Sequence, residues 1–146
     1  MGALTIVDTE VAPDAGGDKY MGTIGTVAIT AGMAVYLSTA DNKLYPADAN
    51  VSVATAEAIG IALNTGTEGQ PCEVQRGGDV YLGATANPTP GVLYVLGDAD
   101  GKIHPATDLT TGWYATVLGV AMNPGVANIH QYRLRLHVIA SRHIHA

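Results

Sequence analysis

The stretch GMAVYLSTADNKLYP, residues 32–46, returns as GVLYVLGDADGKIHP, residues 91–105, so Gly32 meets Gly91 at an offset of 59. The offset holds without a gap from Thr30 (meeting Thr89) to Gly66 (meeting Gly125). Leu37 meets Leu96, Ala40 and Asp41 meet Ala99 and Asp100, Lys43 meets Lys102, and Pro46 and Ala47 meet Pro105 and Ala106. Further on, EAIGIALNTG at 57–66 meets TVLGVAMNPG at 116–125, with Gly60/Gly119, Ala62/Ala121 and Asn64/Asn123 identical. One offset kept over so long a stretch reads as a tandem duplication. That restricts the fold: whatever one half forms, the other forms too, and neither half buries enough apolar surface to stand alone. The halves are expected to pack on each other with approximate twofold symmetry.

Each copy spells out short strands. MAVYL and VLYVL are β-branched, apolar runs suited to a strand. ADNK and ADGK follow, and Asn and Gly tolerate the positive φ of a tight hairpin turn. KLYP and KIHP give a short return strand ended by proline. After a loop that differs between copies, AIGIALN and VLGVAMN form a second strand, whose central Gly60 or Gly119 marks a bulge or a close backbone approach. A final strand follows in each half, PCEVQRGGDVYLGA and HQYRLRLHVIASR. In the latter Leu134, Leu136 and Val138 point one way and Arg133, Arg135 and His137 the other. VATAEAIGIAL is the best helical candidate, and its glycine and β-branched residues argue against it. The expected fold is all-β, a small barrel or sandwich of roughly ten short strands built from two tandem repeats. Residues 1–25 form an extended N-terminal arm, and 26–146 a single β domain of repeat 1 (26–84) and repeat 2 (85–146).

Composition narrows the function. Charged residues make up 14% of the 146, against a typical share of about 25%. Together with 18 glycines this predicts short strands and tight turns, and a surface that lies against other protein. The net charge of −6, with 7 basic residues, leaves no basic face for nucleic acid. No apolar run approaches the ~20 residues of a membrane helix, and the first residues, MGALTIVDTEVAPDAGG, do not read as a signal peptide. A single cysteine, Cys72, forms no internal disulfide.

Motifs that carry chemistry are scarce. His143 and His145 form H-x-H, which with His137 would be a candidate zinc set, but no carboxylate or cysteine stands nearby in sequence. DADGK at 98–102 opens like a calcium loop, yet its twelfth position is Leu109, not Glu. No serine lies in G-x-S-x-G and no phosphate-binding glycine pattern occurs. Cys72 has no local cationic group to activate it. Catalytic, cofactor-binding and metal-binding residues are therefore expected to be none. Trp113 and Tyr114 stand where the first copy has Ala54 and Thr55, either as a contact hot spot or as a plug at the end of the fold.

The repeated phrase resembles the capsid decoration (cement, or head-stabilising) proteins of tailed bacteriophages and their head-fibre-like relatives. Its matching residues are Gly32, Val35, Leu37, Asp41, Lys43, Pro46, Ala47, Gly60, Ala62, Arg76 and Gly77 in the first copy. In the second they are Gly91, Leu96, Asp100, Gly101, Lys102, Pro105, Ala106, Gly119 and Ala121. The second copy's last strand, YRLRLHVIAS, lacks the Arg-Gly pair and so departs from the pattern. The resemblance covers about residues 25–135 and implies a non-enzymatic virion protein on the capsid surface, assembled in the host cytoplasm. It would bind as a dimer or trimer across contacts between major capsid subunits, with no nucleic acid, membrane or cofactor. The N-terminal arm (1–25) and the C-terminal strand with its tail (131–146) are the expected lattice contacts, with Asp8, Glu10, Tyr20, Trp113, Tyr114, Arg133, Arg135 and Arg142 as contact candidates. On that view deletion of residues 1–20 abolishes capsid binding and leaves the fold intact. The alternatives are a receptor- or glycan-binding module using Trp113 and Tyr114, and a metal-dependent hydrolase using the C-terminal histidines.

Overall fold

Turn chemistry sets the two hairpins. In the computed structural model, which describes residues 2–13, 17–83, 86, 88–122 and 133–144, Asn42 (φ 58°) and Gly101 (φ 64°) hold the left-handed position at the same point of each turn. The Asp41 carboxylate accepts from the Lys43 amide and closes the first turn. On either side lie β3 (Ala34–Leu37) with β4 (Leu44–Pro46), and β8 (Leu93–Leu96) with β9 (Ile103–Pro105). The remaining strands are β1 (Ala12–Pro13), β2 (Lys19–Thr23), β5 (Gly60–Ala62), β6 (Pro71–Gln75), β7 (Gly77–Tyr81), β10 (Tyr114–Met122) and β11 (Arg133–Ile144).

The strands form two antiparallel sheets, so the chain is all-β with the architecture of a sandwich. One sheet has the order β1-β7-β11-β10-β8-β9, the other β2-β6-β5-β3-β4. Registers match at the offset of 59: Val35 faces Pro46 as Tyr94 faces Pro105, and Val35 faces Gly60 as Tyr94 faces Gly119. A Cβ on Gly60 or Gly119 would fall on the carbonyl oxygen of Gln75 or Arg135, which is the close backbone approach that the sequence predicts there.

Two apolar clusters hold the sheets. The larger lies between them and joins Ala34 and Ile61 of the five-stranded sheet to Tyr94, Leu96, Leu118, Ala121, Leu134 and Leu136 of the six-stranded one. The smaller comprises Ile24, Ile29, Val35, Leu44, Ala62, Cys72 and Val74 on the opposite face of the five-stranded sheet. An isolated bridge between Ile24 and Leu44, with Gly25 N–H donating to the Leu44 carbonyl, draws the two rims of that sheet together.

Four local expectations are corrected by the tertiary structure. PCEVQRGGDVYLGA is two strands, not one: the chain bends after Gln75, with Gly78 at φ 76°, and passes from one sheet to the other. Buried Gln75 secures the bend by donating through Nε2 to the carbonyls of Gly77 and Asp79, both at 2.9 Å. Within VATAEAIGIAL one turn of helix, α1 (Val53–Ala56), forms under a Ser52–Thr55 capping box. The described residues of 1–25 do not stand free as an arm. Leu4 N–H donates to the Ile103 carbonyl and Val7 N–H to that of Leu82, Ala12 and Pro13 pair with β7, and β2 pairs with β6 along its length. The packing is also not twofold. The row Ala34–Ile61–Gln75 is buried towards the other sheet, whereas the row in the same register, Leu93–Val120–Arg135, faces away from it. Ile24 and Ile29 already cover the other face of the five-stranded sheet, so only the Ala34 face is left to meet its neighbour.

Candidate functional site

Geometry sorts the expected contact residues into exposed and buried groups. Asp8 and Glu10 are exposed on a single 3-10 turn over Asp8–Glu10. Tyr20 is half-buried in β2 and packs against the smaller cluster. Trp113 is only 7% exposed, and its ring meets His104 edge-on with 5.4 Å between centroids. His104 in turn places Nδ1 2.8 Å from Asp108 Oδ2, and this hydrogen bond holds the Asp108 carboxyl below its ordinary range. Tyr114 is half-buried and donates its N–H to the Ala49 carbonyl. The pair thus takes the plug position and offers no indole face to solvent.

The arginines of β11 alternate as the sequence predicts, with different surroundings. Arg133 is buried, its guanidinium carbon 4.9 Å from the centre of the Tyr81 ring. Arg135 is exposed and grips Asp79 with both arms, Nε to Oδ1 at 2.8 Å and Nη2 to Oδ2 at 3.2 Å. The side chains of Arg142 and His143, and all of His145, lie outside the described residues. Among the described residues no three of His, Cys, Asp and Glu converge as a metal site, and no helix is long and apolar enough to cross a membrane.

No known protein family, curated protein or solved structure matches the chain. Local geometry therefore carries the reading. Its most distinctive surface is the outer face of the six-stranded sheet, which was not singled out from the sequence. A depression of about 380 Å³ there is lined by Leu93, Val117, Val120, Arg135, His137 and Ile139. Leu93 is 39% exposed and Ile139 52%, and with Val117 and Val120 they line one contiguous depression. The available signal was the register itself, since Leu93 stands where Ala34 stands in the first copy.

Cys72 is fully buried in the smaller cluster. Burial pushes its thiol up to about 11, because the thiolate loses solvation there. Iodoacetamide at pH 8 should label it at least ~10-fold more slowly in the folded protein than in urea, because the buried thiol is out of the reagent's reach and resists ionisation. Burial of the thiol also makes stability depend on pH. The contribution is intact below the ordinary thiol range and declines as pH climbs towards 11, because the unfolded chain gives up its proton first. Equal labelling rates in the two states would refute the buried placement.

Proposed function

We propose that this protein is a structural, non-enzymatic component of a phage virion that binds the outer surface of the capsid and stabilises contacts between major capsid subunits. The supporting observation is where the residues of the repeated phrase lie. Asn42 and Gly101 hold the turns, Gly60 and Gly119 permit close strand approach, and Val35, Leu96 and Ala121 are in the cores. The phrase that resembles decoration proteins thus specifies a rigid shape, which suits a role in adhesion to other subunits. Many weakly attached copies, each adding a few kcal/mol, hold a lattice through multivalency. In this reading the lattice contacts include the exposed Asp8–Glu10 turn and the C-terminal stretch 131–146.

Co-expression with the major capsid protein of the same phage genome is the test. The chain should band with assembled heads on a density gradient, and heads carrying it should survive heating that ruptures bare heads. Asp8→Lys should weaken banding without changing the melting of the isolated protein. A chain that stays at the top of the gradient refutes the capsid role.

A further inference from the structure

β11 outruns one of its two neighbours. β10 follows it on one edge from Arg133 to Ile144, whereas β7 pairs with the other edge only from Leu134 to His137. The ladder with β7 stops at the His137–Gly77 pair because the chain before Gly77 bends away into the other sheet, held by the buried Gln75 amide. Among the described residues no strand pairs with that edge of β11 over 138–144. At a rise of ~3.3 Å per residue, this leaves about 23 Å of ladder open on one side. Other sheet edges are guarded. β1, β4 and β9 have only two or three residues, Leu4 donates its N–H to Ile103 on β9, and the Ile24–Leu44 bridge draws β4 towards the end of β2.

A groove runs beside the open edge. Its volume is about 380 Å³, and it lies where β7 would continue had the chain not turned. Val138 lines it from β11, Asp18 and Arg76 from the bend, and Tyr20, Leu37 and Ile59 from the five-stranded side. Leu134, Leu136 and Val138 all pack towards the main core, so the groove opens on the inner side of β11.

We infer that 138–144 receives an extended peptide segment of another protein, which joins the six-stranded sheet as an antiparallel strand in line with β7. The main chain sets this chemistry. A row of edge N–H and C=O groups is matched along its length only by another extended backbone, which is how strand addition recognises its partner. Continuity with β7 sets the direction, since β7 already runs antiparallel to β11 and the new strand takes its next positions. The groove sets the side chains. Every second residue of the incoming strand points inward against Tyr20, Leu37 and Ile59 and is apolar. Its last residue lies beside Asp18 and Arg76, an exposed pair 3.7 Å apart, and is polar. The inference goes beyond the capsid reading and does not rest on it, because the edge follows from the strand registers alone.

Amide exchange of the full chain, free of capsid, is the test. In the chain alone, amides of 138–144 on the open edge should exchange at least ~10-fold faster than those of 134–137 that face β7. A synthetic peptide of alternating valine and threonine should slow them at least ~10-fold and leave 134–137 unchanged. The same peptide methylated on every amide nitrogen should have no effect, because it donates no ladder bond. Val138→Lys, an inward charge of the kind that guards natural edges, should weaken the peptide about 10-fold or more. Should that variant fail to fold, the exchange pattern of the unsubstituted chain decides alone. Equal protection along 134–144 in the free chain, or no slowing by the alternating peptide, overturns the inference. So does equal slowing by the methylated peptide, or protection of 138–144 that rises with chain concentration alone and so places a second copy on the edge. Banding with heads is a separate result, so either proposal can fail while the other stands.

Discussion

Replacing Gly119 with alanine should cost the fold about 3–5 kcal/mol, among the larger effects a single methyl group produces. Gly119 sits at the irregularity of β10 where the register slips between Val117 and Gly119. A Cβ there would fall on the carbonyl oxygen of Arg135, and the Cα of Leu136 lies 3.1 Å from the same point. The obstruction is backbone, so no rotamer change relieves it. The only response is to push β11 away, and β11 carries Leu134 and Leu136 into the main core and pairs with β7 on its other side. Gly91→Ala is the control. Gly91 has φ 84° with open space around its Cβ position, so alanine meets backbone strain alone, about 1–2 kcal/mol. Urea denaturation of the two variants separates the cases, and a Gly119→Ala midpoint no lower than that of Gly91→Ala would refute the close approach.

Removal of residues 1–25 should leave no cooperatively folded protein. This reverses what an arm independent of the domain implies. Leu4, Ile6 and Val11 pack against the main core, and Ile24 is fully buried in the smaller one. Burying a single such side chain completely is worth about 1.5–3 kcal/mol, and whole domains of this size are stable by only about 5–15 kcal/mol. The deletion also strips β2 from β6 and bares the edge of a sheet. Circular dichroism and urea titration of the truncated chain should show no sigmoidal transition. A transition with the midpoint of the full chain would mean that these contacts contribute nothing. Loss of capsid binding on truncation therefore carries no information about an arm, and the charge reversal at Asp8 is the cleaner probe.

The hairpins were legible because their information is local. Asp41-Asn42 and Asp100-Gly101 demand a turn wherever they occur, and the apolar runs before them have no helical period. Alternation in YRLRLHVIA was legible for the same reason, and Leu134 and Leu136 are buried as that alternation requires. The split of PCEVQRGGDVYLGA was not legible. Its glycines permit a bend, but the carbonyls of Gly77 and Asp79 that hold it are gathered by one buried amide, Gln75. Trp113 was ambiguous for a comparable reason: an aromatic in a loop is a plug or a contact depending on whether His104 lies beneath it.

Residues alone determined the all-β class, the turns with their left-handed positions, and the two points where only glycine lets strands meet. Each depends on neighbours in the chain or on alternation along a single strand. Tertiary structure decided which face of each sheet is buried. Along MAVYL, VLYVL, AIGIALN and VLGVAMN both faces are apolar, so those strands could not choose, and YRLRLHVIA marks its buried side by alternation. The choice fell to Ile24 and Ile29, which cover one face of the first copy and leave the other to pack on the second. Leu93, Val120 and Ile139 remain on the outside because, among the described residues, there is no third sheet to place over them.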